Sequence, residues 1–213
     1  MTLVDTPPPS PLHRAAWAAQ DPLLTGYYDE EWGMPVTDET GVFERLTLEA
    51  FQSGLSWLTV LRKREGFRAA FDGFDPARIA RYDASDVARL LADPEIIRNR
   101  LKVQATITNA QATLRLADEG GPTLPELVWS YMPERSPAPL TDADVPATSP
   151  ESHALARDLK RRGFRFVGPT TVYALMTALG IADVHLVGSH RRGCSGLWNR
   201  DGSRTEMPAP FSA

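Results

Sequence analysis

The decapeptide Leu48–Trp57, LEAFQSGLSW, sets a carboxylate, Glu49, inside an apolar helical run that stops at Ser53-Gly54 and resumes on Trp57. A glutamate on a solvated helix face needs no partner. One turned inward does, because an unpaired buried charge is expensive. A second stretch with chemical potential is SPESHALARDLKRRGFRFVGPTTVYALMTALG, residues 149–180, which reads as a helix, a tight turn and a second helix. Gly163 ends the first helix as a left-handed cap, Gly168 lets the backbone turn closely, and Pro169 starts the second. Phe164, Phe166 and Val167 are apolar enough to anchor the turn in a core. Unpaired backbone N–H groups at the start of the second helix, flanked by Arg161, Arg162 and Arg165, would suit a phosphate. An ordinary αα-hairpin accounts for the same residues.

Roughly half of the 23 Lys and Arg residues fall in three short clusters, at 62–68, 98–102 and 157–165. Each alone is explained by solvated helix ends, where cations suit the dipole. Converging in space, they would make a surface for nucleic acid in spite of a net charge of −4.

The elements that must position these residues are helical nearly throughout, and the expected fold class is all-α. Asp75-Pro76, Ser149-Pro150 and Gly168-Pro169 each place a cap before a proline at the first helical position. Asp83 or Ser85 caps DVARLLAD, and the longest helix is expected from about Glu95 to Asp118, ended by Gly120-Gly121-Pro122. Pro125 opens a short helix bearing Leu127, Val128 and Trp129. No period-2 strand pattern and no repeat at solenoid spacing is present. The 213 residues, 42% hydrophobic and 23% charged, suit one sizeable globular domain. Residues 1–14 read as a disordered, proline-rich arm without a signal-peptide pattern. Residues 15–190 read as the domain, with 133–148 as a Pro- and acid-rich linker inside it. Residues 191–213 read as a loose tail in which Trp198 can dock. One cysteine, Cys194, rules out an internal disulfide and suits a reducing cytoplasm. No apolar run has the ~20 residues of a membrane helix.

Four segments, in order, carry a likeness: WAAQDPLLTGYYDEEWGMPVTDE, FERLTLEAFQSGLSWLTVLRKREGFRAAFDGFDP, IIRNRLKVQATITNA and LKRRGFRFVGPTTVYALM. Together they resemble the 3-methyladenine DNA glycosylase I family, within the helix-hairpin-helix superfamily of base-excision enzymes, over residues 15–190. The resemblance implies helical lobes with a base pocket between them and a hairpin at about 150–180. It implies an enzyme that flips N3-methyladenine out of double-stranded DNA and cuts its bond to the sugar. A monomer is the default for a protein that must wrap one lesion, and the expected location is the cytoplasm, nucleoid-associated when bound to DNA. By resemblance Glu49 is the pocket carboxylate, and Tyr27, Trp57 and Trp17 are its aromatic lining, with Trp32 on the same wall. Leu55 fills the gap left in the duplex, with Gln52 beside it. The DNA-binding hairpin runs from Gly163 to Thr171, including Arg165, Gly168 and Thr170, with Arg162 at its flank.

The chemistry agrees with these roles. N3-methyladenine is cationic, so π-faces and a carboxylate favour it over neutral adenine, and it leaves without needing a proton. Lyase chemistry would need an amine, and Lys63, Lys102 and Lys160 all sit in basic clusters that read as exposed.

Relatives share a structural zinc site of two Cys and two His. The matching positions here are Ala15, Tyr28, His185 and Ser189, so three ligand types are missing and no metal is expected. A relocated site from His13, His185, His190 and Cys194 fits no zinc spacing. Leu24 stands where many relatives have an aromatic, which leaves open a shifted alkylpurine preference. A non-catalytic lesion-binding protein is the alternative from another class.

Overall fold

A computed structural model describes residues 12–118 and 120–211, and their regular structure is helical. The ten α-helices are α1 (Pro22–Glu30), α2 (Glu39–Gln52), α3 (Trp57–Leu61), α4 (Arg64–Ala70), α5 (Pro76–Ile79), α6 (Ala84–Ala92), α7 (Arg100–Asp118), α8 (Leu124–Trp129), α9 (Pro150–Arg161) and α10 (Pro169–Ala178). Two isolated β-bridges, Arg135 with Ser203 and Trp198 with Arg204, are the only extended pairings among these residues. The caps act as their residue types dictate. Asp21, Asp38, Asp75, Asp83 and Ser149 each accept a backbone N–H of the first turn that follows.

α2 runs through the centre. Its Val42, Phe43, Leu46 and Phe51 are fully buried and belong to one apolar core with Phe67, Phe71, Val103, Val172 and Met176 of α4, α7 and α10 and the turn after α4. Phe51 meets Phe67 with ring centroids 4.6 Å apart. Each such side chain contributes about 1.5–3 kcal/mol on burial, so the core fixes where the last turn of α2 points.

Three expectations are corrected here. α7 begins at Arg100 rather than Glu95. Pro94 stands just before the expected start, and Asn99 caps the helix, its side chain accepting the Lys102 N–H at 3.2 Å. In the turn between α9 and α10, Phe164 and Val167 are buried but Phe166 is 37% exposed. Its φ of +56° is left-handed, which turns the side chain out of the core. Gly163, at φ +91°, needs the same region and is suited to it.

The third correction concerns the segment expected as a loose tail. Leu197 and Trp198 are buried, and the Trp198 indole N–H donates to the Gly180 carbonyl at 3.1 Å. The Arg192 guanidinium donates to the carbonyls of Asp183 and Pro137, and the Ser136 N–H donates to the Gly202 carbonyl at 2.8 Å. The tail and the 133–148 linker thus satisfy one another's backbone, which removes the freedom that composition suggested. Residues 1–11 of the expected arm, and 212–213 of the tail, lie outside the described residues.

Candidate active site

Glu49 faces inward. It lies on α2 one turn before the helix ends and is 7% exposed. Around it, α1 supplies Tyr27 and α3 supplies Trp57 at its first residue, held by the Ser56 cap whose hydroxyl accepts the Thr59 N–H. The short 3-10 turn Ala16–Ala19 supplies Trp17. Trp32 follows α1, its N–H donating to the Tyr27 carbonyl at 2.9 Å. These five side chains, with Leu24, Leu58 and Thr177, line one cavity of about 370 Å³, the size of a small-molecule site. Tyr27 and Trp57 lie 5.1 Å apart, and Trp17 meets Trp32 edge to face at 5.3 Å.

Two buried polar atoms in this cavity, Glu49 Oε2 and Trp57 Nε1, have no hydrogen-bond partner in the protein. The indole N–H donates, and the carboxyl accepts when ionised, so a planar heterocycle with both kinds of edge would satisfy them. Burial pushes the Glu49 carboxyl up to about 8, with the Arg45 charge pulling the other way. Arg45 was not identified as a site residue from sequence. It lies one turn before Glu49 on the same face, its guanidinium 5.7 Å from the Tyr27 ring centroid, and it shares Glu31 with the bidentate Arg64. The spacing i, i+4 from Glu49 was the available signal.

A shallower groove runs from the cavity past Gly54, Leu55, Thr170 and Thr171, and Glu49, Gln52 and Ala174 line both. Gly54 has φ +81°, which allows the reversal after α2, and Leu55 stands 42% exposed at the rim. Across the groove, Gly168 and Pro169 open α10. Arg165 and Thr170 are exposed, whereas Arg162 pairs with Asp158 at 3.1 Å. The cluster at 62–68 does not converge here as a cationic patch: Arg62, Arg64 and Arg68 pair with Asp21, Glu31 and Glu44. Lys102 is buried rather than exposed, and no lysine lines the Glu49 cavity.

The four positions matching the family's zinc ligands do not fit the metal. The Tyr28 and Ser189 hydroxyls are 2.8 Å apart and hydrogen-bonded, and Ala15 packs against Tyr28 in a small buried cluster. The His185 ring stands edge-on to Tyr28 at 5.1 Å, with its Nδ1 2.8 Å from Asp183. A buried phenol thus joins the N-terminal segment to the segment after α10. It also backs the cavity, because Trp32 stacks on Tyr28 at 5.5 Å. The relocated set does not assemble either. His190 is held by Asp29 and the His13 carbonyl, and among the described residues no group of three or more His, Cys, Asp or Glu converges.

Comparison with known proteins places this arrangement. Residues 17–192 match the family model of the methyladenine glycosylases. The chain is 45% identical over 180 residues to DNA-3-methyladenine glycosylase 1 of Escherichia coli (strain K12), covering 83% of this chain and 95% of that protein. A crystal structure of 3-methyladenine DNA glycosylase I superposes with a TM-score of 0.80 at 44% identity, covering 84% of this chain and 98% of the other. A variant of 3-methyladenine DNA glycosylase I in complex with 3-methyladenine superposes with a TM-score of 0.75 at 34% identity, covering 81% and 94%. Helical architecture, matched length and level of identity agree, and the chain belongs to the methyladenine glycosylase family.

Proposed function

We propose that the protein is a monofunctional DNA glycosylase that binds double-stranded DNA as a monomer in the cytoplasm, flips N3-methyladenine into the Glu49 cavity and hydrolyses its N-glycosidic bond. The observation that carries this reading is the buried Glu49 carboxyl, without a hydrogen-bond partner, in a cavity it shares with Tyr27 and Trp57. In a low-dielectric cavity a cationic base supplies the missing partner, and neutral adenine does not. Tyr27 and Trp57 add stacking and cation–π attraction, and the Trp57 indole N–H offers a donor to the base edge.

Cleavage breaks the bond between the sugar C1′ and the base nitrogen. The electron pair goes to the base and discharges its positive charge, so no acid is required. A water oxygen bonds to C1′ and its proton leaves to solvent. Glu49 also lines the groove toward Leu55, which puts its charge beside the oxocarbenium-like sugar. The lysines support hydrolysis without lyase chemistry: Lys63 donates to the Pro94 carbonyl and Lys102 to those of Phe51 and Ser53. Leu55 is the wedge, with Gln52 beside it, and the α9–α10 turn from Gly163 to Thr171 grips the backbone phosphates.

Chromatography of the bases released from DNA treated with several alkylating agents tests this. Wild-type protein is expected to release 3-methyladenine without added metal, and Glu49→Gln to release it at least roughly a hundredfold more slowly. Unchanged release by that variant would sink the assignment of Glu49. The same panel reads the base range, which Leu24, buried in the cavity wall, can shift within the alkylpurines.

A further inference from the structure

Helix α7 carries four buried polar side chains on one face, Lys102, Thr106, Asn109 and Thr113. The two threonines donate to carbonyls one turn back in the helix itself, whereas Lys102 and Asn109 reach beyond it and stand seven residues apart. That is two turns, about 10.5 Å along the axis. Neither reaches another side chain on the core side. Each binds the backbone of a different segment, Lys102 the end of α2 and Asn109 the α9–α10 turn.

The Lys102 ammonium donates to the carbonyls of Phe51 at 2.8 Å and Ser53 at 2.6 Å. These belong to the end of α2, where helix carbonyls lack intrahelical partners and the dipole is negative. The same short segment holds the Leu55 N–H against the Gln52 carbonyl at 2.7 Å, so Lys102 grips the base of the turn that presents Leu55. Among the described residues Lys102 makes no ion pair, and burial holds its ammonium below the usual lysine range. Seven residues on, Asn109 accepts the Arg165 N–H at 2.7 Å and donates to the Arg165 carbonyl at 3.1 Å. Both backbone groups of Arg165 are therefore clamped while its side chain stands exposed.

A core built for stability alone would place apolar residues at both positions, since buried polar groups weaken a fold unless they are satisfied. What these two obtain is a fixed distance between two loops that share no secondary structure. We propose that Lys102 and Asn109 are positioning residues, and that α7 is a rigid spacer holding the Leu55 turn and the Arg165 turn in register. A wedge and a phosphate grip act on the same duplex only if their separation matches it, so a small slip of either loop leaves the pocket intact and misplaces the nucleotide. This inference rests on the glycosylase reading.

The test compares wild type with Lys102→Met, Asn109→Leu and Lys102→Arg in three measurements. These are single-turnover release of 3-methyladenine from methylated duplex, affinity for free 3-methyladenine by tryptophan fluorescence, and affinity for a duplex carrying a tetrahydrofuran abasic analogue. Lys102→Met and Asn109→Leu are expected to slow release by roughly tenfold to a hundredfold and to weaken duplex binding, with affinity for the free base unchanged. Lys102→Arg, which keeps a cationic donor for the two carbonyls, recovers most of the rate. Wild-type release and duplex affinity in both variants would overturn the proposal. So would loss of free-base affinity in step with the rate, which marks general collapse of the pocket. A wild-type protein that releases no base would refute the glycosylase reading instead, and duplex affinity would still decide the positioning role.

Discussion

Replacing Glu49 by Gln is expected to stabilise the protein at alkaline pH while disabling it. The native carboxyl is held near 8 by burial, against an ordinary value of 4.5. Between those limits the native state keeps a proton that the unfolded chain has released. Stability therefore falls as pH rises, at about 1.4 kcal/mol per pH unit. With those two values the penalty is about 0.8 kcal/mol at pH 5 and about 4.4 kcal/mol at pH 8. Solvent in the open cavity screens the charge, so about half of the difference, ~1.5–2 kcal/mol, is the working figure. Gln carries no such proton, and any constant cost of the amide cancels when two pH values are compared. Urea unfolding of both proteins at pH 5, 6.5 and 8, followed by tryptophan fluorescence, reads the difference directly. The variant should gain ~1.5–2 kcal/mol relative to wild type between pH 5 and 8, or roughly 3–8 °C in melting temperature. Parallel curves would refute the reasoning, because they would mean that Glu49 already has a cationic partner or faces solvent.

Two further outcomes follow from the site. Leu55→Ala, at an exposed position, should change stability by less than about 0.5 kcal/mol yet slow release from duplex DNA roughly tenfold, with free-base affinity intact; equal rates would remove Leu55 from the wedge role. Tyr28→Phe deletes a buried hydroxyl bonded to Ser189 and should cost about 1–2 kcal/mol, with a chelator shifting neither protein's melting temperature; a chelator-induced drop in wild type would restore a metal to this end of the molecule.

What could be read from the chain was whatever local chemistry decides. Caps such as Asp75 and Ser149 followed by proline start helices where they stand, because the cap and the fixed proline φ act within one turn. The helical character of the whole, the two helices of 149–180 and the break at Ser53-Gly54 were legible for the same reason. Glu49 could be singled out as an anomaly, a charge in an apolar run. Its partnerless position in one cavity with Tyr27 and Trp57 depended on where α1 and α3 pack. The misjudged residues are those whose partners are distant in sequence. Lys102 looked exposed among Arg98 and Arg100, but the carbonyls it caps lie some fifty residues earlier. The tail looked loose by composition apart from Trp198, yet Arg192 also finds carbonyls on other segments. Phe166 looked like core until the turn gave it a left-handed backbone. Absence of the zinc ligand types was plain in the residues themselves, whereas the bond between the Tyr28 phenol and Ser189 exists only because the fold brings the two ends of the domain together. Short-range sterics and hydrogen bonds thus set the elements, and burial, which depends on every neighbour at once, set what the polar side chains among them do.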